Sequence, residues 1–438
     1  MTAWSVMSLG ELVDGSDGAI KTGPFGSQLH QSDYLSPGED GVPVVMPRDM
    51  VDGRLDYGSM ARIPAAKAEG LSVHITRPGD VLLARRGDIG RGVLIQEADA
   101  GVLCGTGSLR VSLQGSELLP EFLFRYLSTV AGRHELEGKA VGSTMPNINA
   151  DIVRSMEVRF PPKDAQQRVV GLLRSYDELI ENNTRRIQIL EEMTQAIYRE
   201  WFVEFRYPGH GDVPLVDSDL GPIPAGWEVR RVADVATVDK GLSYKGAFLT
   251  DYGVPMANLK CFQPGGGFRR DGTKPYSGEF KARHAVKPGD LIVANTDLTQ
   301  AGQVIGSPAI IPTSGFGEGG LVSHHLFAVR FEDRRIERAY LYYVLQDERF
   351  RSFARGRASG TTVLGFRSAD FLSYVFPCAP PGLQSRFSEL VADTHSLSER
   401  LEDANEQLRA TRDLLLPRLI SGEVEVSGLD IDVGNAAA

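Results

Sequence analysis

Cysteine is scarce, with only Cys104, Cys261 and Cys378 in 438 residues, all far apart. That spacing makes neither a zinc pattern nor a disulfide framework, and it points to a reducing cytoplasm. No apolar run reaches the roughly 18 residues that a membrane-spanning helix needs. The opening "MTAWSVMSLG" lacks the basic region and apolar core of a signal peptide. Catalytic signatures are missing too. There is no G-x-x-x-x-G-K-[ST] phosphate loop, and "GFGEGG" at Gly315 has the wrong spacing for one. The [DNS]-P-P-[YF] motif of amino-methyltransferases does not occur. Asp80 and Asp290 follow "PG" and precede apolar runs, which is turn chemistry, and no E-x-K follows to complete a nuclease site. His324 and His325 are adjacent, so on a strand they would face opposite sides and could not share a metal. The expectation is a chain with no catalytic residue and no metal ligand, one that catalyses nothing alone.

Basic excess is also missing overall, since the net charge is −10. The charge is unevenly spread. Residues 1–160 hold 15 Lys/Arg against 20 Asp/Glu (net −5), whereas residues 225–382 hold 20 against 15 (net +5). The remainder holds 12 against 22, so the acidity sits mostly outside the two large segments. Such sums bear on solubility and non-specific binding rather than on fold.

What is present is a duplication. "WSVMSLGELV" at Trp4 returns as "WEVRRVADVA" at Trp227, and "GVPVVMPRDM" at Gly41 as "GVPMANLKCF" at Gly253. "RPGDVLLARRG" at Arg77 returns as "KPGDLIVANTD" at Lys287, and "GSTMPNINADIV" at Gly142 as "SGTTVLGFRSADFL" at Ser359. Five ordered matches, including "FPP" at Phe160 with "APP" at Ala379, make chance a poor explanation. Each half opens with a Gly/Pro-rich segment whose short apolar runs, such as "DVLLA" and "RGVLI", read as strands, with occasional helices such as "PEFLFRYLSTV".

Each half closes with a helical segment. Asp164 and Gln167 suggest a capping box. Val169, Leu173, Tyr176, Ile180, Asn183, Ile187, Leu190, Thr194, Ile197 and Trp201 then alternate by four and three. Phe387, Leu390, Thr394, Leu397, Leu401, Ala404, Leu408, Thr411 and Leu415 do the same after a first step of three. These are heptad seams, narrower than the apolar stripe of a helix lying on a globular core. Two such helices in one chain predict an antiparallel coiled coil, with Asn183 setting register. The fold class expected is α+β: two pseudo-repeated domains joined by a long two-helix coiled coil. The boundaries fall at 1–162, 163–224, 225–382 and 383–438.

"TGPFGSQLH" followed by "DY" and "GVPVV", "IYREWFVEF" ending the first helix, and "LLLPRLISGEV" ending the second carry a resemblance. Together with the duplication, they are similar to the specificity subunits of Type I restriction–modification systems over essentially the whole chain. The resemblance implies two target recognition domains, each reading half of a split double-stranded DNA site. It also implies that the helices set the distance and dock two methyltransferase (modification) subunits. Restriction (translocase–nuclease) subunits would complete the complex, and S-adenosylmethionine, ATP and Mg would belong to those partners, with no cofactor bound by this chain. "DKGLSYKGAFL" at Asp239 departs from the GPFG loop of the first half, and "WFVEF" does not recur after the second helix.

Glycine lets a backbone approach phosphates closely. In the first loop Lys21, Thr22, Gly23 and Ser27 are therefore candidate phosphate contacts. Phe25 either wedges against a sugar or thymine methyl, or anchors the loop on its own domain. Arg48, Arg85, Arg86 and Arg91 are further candidates for the groove. In the second domain Lys240, Lys245, Lys260, Arg355 and Arg357 take that place. Thr144 and Thr362 lie in the matched glycine loops. The rival expectation is a two-headed coiled-coil scaffold that spaces two protein partners without reading DNA. A neutral face in place of these basic loops would favour it.

Overall fold

The computed structural model describes residues 4–36, 38–58, 60–140, 147–332 and 336–426. The chain divides into two compact units, Met1–Glu181 with Gln407–Ala438, and Asn182–Glu406.

In the first unit an antiparallel sheet runs in the order Ala19–Thr22, Ser108–Ser112, Val81–Ala84, Gly92–Leu94. The strand Val81–Ala84 is buried throughout. Val81 and Leu83 enter one core, whereas Leu82 enters another, as the two-residue period of a strand requires. Asp80 opens this strand by accepting the Arg77 amide at 2.9 Å, the turn role expected of it, and it also pairs with the nearly buried Arg110 at 3.2 Å. A second sheet places Val42–Val45 between Ala61–Ile63 and Leu103–Cys104, parallel to the latter. Ser5–Ser8 and Glu157–Phe160 pair at the edge.

The second unit has the same strand order: Ala236–Lys240, Leu326–Phe331, Leu291–Ala294, Pro308–Ile310. It also has a parallel pair, between Leu249–Ala257 and Gly320–Val322, and an edge pair, Glu228–Arg231 with Val375–Cys378.

Two long helices start at paired prolines: Lys163–Tyr198 just after Pro161 and Pro162, and Pro381–Ser421 on the second of Pro380 and Pro381. The side chain that organises the first start is Gln166, not the expected Asp164–Gln167 pair. Gln166 is fully buried, accepts from the Leu119 amide at 2.8 Å and donates to the Pro161 and Glu117 carbonyls. Gln384 repeats this, accepting from the Glu337 amide at 3.0 Å and donating to the Ala379 carbonyl at 2.6 Å. Proline frees no amide of its own, so the buried carbonyls and loop amides at each helix start need this side-chain partner.

Along the first helix Leu173 and Ile187 are buried and Ile180, Asn183, Leu190 and Ile197 half-buried. On the second helix Leu401 is buried and Leu397, Leu408 and Leu415 half-buried. Leu390 is a correction: it is 48% exposed, and Val391 is buried in its place. The stripe leaves Phe387 with a step of four because Phe387 and Val391 both enter the aromatic core, and a step of three turns Leu390 outward. The same one-residue phase puts Asn405, rather than Ala404, in the buried stripe. Asn183 Nδ2 donates to Asn405 Oδ1 at 3.0 Å, and Asn405 in turn reaches Thr184.

"IYREWFVEF" ends the first helix in a π-type turn, Arg199–Val203. Its rings fill the second unit's core: Phe202 lies 4.8 Å from Tyr340 and 5.0 Å from Phe387, and Phe205 5.2 Å from Trp227. "LLLPRLISGEV" does the equivalent in the first unit, where Leu419 and Ile420 join Val158, Phe160, Val169 and Leu173 in one core.

Within the second unit Arg270 holds the second helix. It pairs with Glu402 at 3.0 Å, with Asp403, and with Glu406 at 3.6 Å. Glu399 accepts the amides of Thr313 and Ser314. One guanidinium cannot balance four carboxylates. Burial, only partly offset by Arg270 and reinforced by Glu191, Glu406 and Glu399, pushes the Glu402 carboxyl up to about 7. With its folded value above the unfolded 4.5, this group favours folding most below pH 4.5 and loses that contribution as pH rises through 7. Its side chain is 32% exposed, so the loss is discounted to about 1–2 kcal/mol. Glu402→Gln should therefore raise stability by about that amount in urea melts at pH 8 and change little at pH 5. A variant less stable than the parent at pH 8 would contradict this.

Candidate nucleic-acid interface

In the first unit three strand ends meet. Thr22 is level with Leu109, Ala84 with Ser108, and Val45 with Cys104. The turn between Cys104 and Ser108 threads them together: Gly105 N–H donates to the Val45 carbonyl at 3.0 Å, and Arg85 N–H to the Gly107 carbonyl at 2.9 Å. Gly23 N–H donates to the Ser108 carbonyl at 2.9 Å. A Cβ on Gly23 would stand 1.9 Å from the Gly105 oxygen, so only glycine fits here.

In the following loop Phe25 does not anchor the loop on its own domain. The Phe25 carbonyl accepts the Gln28 and Leu29 amides at 2.8 and 3.1 Å, and Gln28 Oε1 accepts the Phe25 amide. The anchor is Leu29, buried with Val44, Ile63 and Leu103, while Phe25 is 57% exposed. The turn thus presents an aromatic ring outward on a fixed backbone.

Around this edge Lys21 and Ser27 are exposed and Thr22 half-buried. Arg48 is exposed, 3.5 Å from buried Asp49. Arg86 is exposed, and Arg91 pairs with Asp88 at 3.0 Å. Arg85 is half-buried and donates from Nε to the Ile148 carbonyl at 3.1 Å. Burial first, and Arg86 second, lower its proton affinity. Arg85 therefore positions the neighbouring segment, and Arg86 is the more available charge. Thr144 lies outside the described residues.

The second unit repeats the frame. Gly241 N–H donates to the Leu326 carbonyl at 3.1 Å, and a Cβ there would meet the Ser323 oxygen at 2.2 Å. Lys240, Lys245 and Lys260 are exposed, with the Lys260 turn capped by Asn258 Oδ1 at 2.9 Å. Lys260 holds the place that Arg48 holds in the matched motif of the first half. Arg355 and Arg357 sit on the helix Glu348–Arg357, each with an acidic partner: Arg355 with Glu348, and Arg357 with Asp370 at 3.5 Å. Arg357 also lies 4.6 Å from the Phe353 ring centroid. Thr362 is exposed in the hairpin closed by Ser359 and Gly365.

His324 and His325 do not face opposite sides. They form the turn between Gly320–Val322 and Leu326–Phe331, and their ring centroids lie 3.9 Å apart. Strand alternation does not apply in a turn, which is why the expectation failed. Among the described residues no group of three or more His, Cys, Asp or Glu could hold a metal, and no helix is long and apolar enough to cross a membrane. The sequence reading missed the Cys104–Ser108 turn and its His324–His325 counterpart. The signal was "CGTGS", with two glycines between two apolar runs.

Residues 74–192 match the family model of the Type I restriction modification DNA specificity domain. The chain is similar to the Type I restriction enzyme MjaIX specificity subunit of Methanocaldococcus jannaschii, 23% identical over 401 residues that cover 89% of this chain and 88% of that protein. The MjaVIII specificity subunit of the same organism is 20% identical over 75% of this chain and 76% of its own length. In fold the chain is similar to the crystal structure of the Type-I restriction-modification system S subunit from M. genitalium. The TM-score is 0.56 at 15% identity, covering 95% of this chain and 96% of that one. The resemblance read from the motifs is thus borne out. The matched span contains Arg85, Arg86 and Arg91, the glycine turn, and much of the first long helix.

The two side chains of the first loop separate cleanly in a stability measurement. Leu29→Ala should cost about 2–5 kcal/mol in chemical unfolding. Phe25→Ala should stay within about 0.5 kcal/mol of the parent. A large loss at Phe25 would mean that the ring is packed after all.

Proposed function

We propose that this chain is the DNA-recognising specificity subunit of a Type I restriction–modification complex. In this reading residues 1–162 and 225–382 each recognise one half of a bipartite site, and the helical segments 163–224 and 383–438 pair as an antiparallel coiled coil that sets the distance between them. The observation that carries the reading is the specificity-domain match over residues 74–192 falling on the basic, glycine-built edge of the first unit.

The chemistry of that edge supports it. Glycines at 23 and 105 let the strand ends pack closely, which holds the exposed side chains of this edge on a fixed backbone. Exposed Lys21, Arg48 and Arg86 add positive charge there, and exposed Phe25 offers an apolar face to a sugar or thymine methyl. A scaffold that spaced proteins alone would have no use for two such edges. Exposed Leu179 and Leu414 in the first unit, and Ile189 and Met193 in the second, leave apolar surface on the helices. That surface suits the docking of two methyltransferase subunits, with restriction subunits joining the full complex. The chain itself is non-catalytic in this reading. S-adenosylmethionine, ATP and Mg act in the partner subunits, in the cytoplasm.

Replacing residues 225–382 with the matching segment of a relative tests the division of labour. Sequencing of modified adenines in a host carrying the chimaera should show one half-site changed and the other kept. Two altered half-sites, or none, would contradict the assignment.

A further inference from the structure

Resting on that reading, we propose that His324 and His325 are the base-reading pair of the second recognition domain, placed to meet base edges of its half-site. The two units build this position on one backbone frame and fill it differently. Ser323 N–H donates to the Ala257 carbonyl at 2.9 Å as Gly105 does to Val45, and Asn295 N–H to the His325 carbonyl at 2.9 Å as Arg85 does to Gly107. His324 and His325 therefore occupy the places of Thr106 and Gly107. Where the first unit has Thr106 and Gly107 beside Arg85 and Arg86, the second has two imidazoles beside Asn295 and Thr296. A fixed frame carrying different side chains is what two different half-sites require.

The turn is held rigidly. Asn295, itself buried, uses its amide for the His325 carbonyl and its Nδ2 for the His324 carbonyl at 3.2 Å. Thr296 Oγ1 fixes the Asn295 side chain at 2.7 Å. Both carbonyls are occupied, so the imidazoles are the groups the turn has left to offer. They are half-buried, and the Tyr244 ring lies 5.9 Å from His324. Nδ1 of His324 is buried with no hydrogen-bond partner among the described residues, so nothing secures that ring by this atom.

Burial, then His324 and Lys240, lower the proton affinity of His325, which favours its neutral form. A neutral imidazole is a poor phosphate ligand but presents one donor and one acceptor, the pairing that base edges display in the major groove. Lys240, Lys245 and Lys260, exposed nearby in the chain's second frame, suit the phosphates instead. A metal is the less fitting ligand, since these histidines belong to no group of three or more metal-binding side chains among the described residues.

The test uses the complex assembled with its modification subunits and duplexes in which each base pair of both half-sites is changed singly. In the His324→Ala and His325→Ala complexes, discrimination at one or two positions of the half-site read by residues 225–382 should fall roughly tenfold or more. Discrimination at the other half-site should be unchanged. His324→Gln and His325→Gln, which keep a polar side chain in the turn, serve if an alanine variant fails to fold, and should shift the preferred base at the same positions. Unaltered discrimination, or a loss uniform across all duplexes, would overturn the proposal. A parent complex with no sequence preference would instead overturn the functional reading beneath it.

Discussion

The first unit cannot be completed by its own half of the sequence. Leu419 and Ile420, from the far end of the second long helix, fill a core otherwise built from Leu9, Phe122, Val158, Phe160, Val169 and Leu173. Burying each such side chain contributes about 1.5–3 kcal/mol, a large share of a net stability of about 5–15 kcal/mol. Loop closure is a weak penalty at this separation, growing only by about 0.6 kcal/mol per doubling of length. The return of the helix is therefore affordable, and the core depends on it. In the second unit the end of the first helix plays the same part through Tyr198, Trp201 and Phe202. Two sequence motifs that look like functional signatures, "IYREWFVEF" and "LLLPRLISGEV", are in physical terms the plugs of two cores.

Much of this was legible in the sequence, and the failures have particular causes. The first helix shows its buried stripe residue by residue because branched and aromatic side chains mark nearly every step. The second is ambiguous where Leu390 and Val391 are neighbours: either could continue the pattern, and only the aromatic core around Phe387 decides for Val391. Asn405, the partner of Asn183, was hidden in the same way beside Ala404. The glycines of the first loop were readable as close-approach positions. The burial of Leu29 was not, because it depends on Val44, Ile63 and Leu103 arriving from other segments. The Arg270 contacts with Glu402, Asp403 and Glu406 join residues more than 130 positions apart and leave no local trace.

The two units repeat one backbone frame and carry different side chains at its tip, an arrangement that would suit the proposed reading of two different sequences. Hydrogen bonds between backbone groups fix the turn at 105–107 and its counterpart at 323–325 with nearly equal lengths. Backbone bonds of this kind do not specify the side chains at the tip. Substitution there can change what is read without disturbing what holds the strands together, and buried Gln166 and Gln384 tie each helix start to its domain in the same manner. Under the proposed function, chemistry at the tips and spacing by the helices would be separable properties.

That separation is the central claim, and helix length tests it most directly. One heptad inserted between Glu181 and Asn182, and one between Glu406 and Gln407, falls at the boundary of the two units and leaves the contacts inside each intact. Seven residues add about 10 Å of helix in each arm. With base pairs about 3.4 Å apart, the unread spacer of the modified site should lengthen by up to about three base pairs while both half-sites stay the same. An active complex that methylates sites with the original spacer would show that something other than these helices sets the distance.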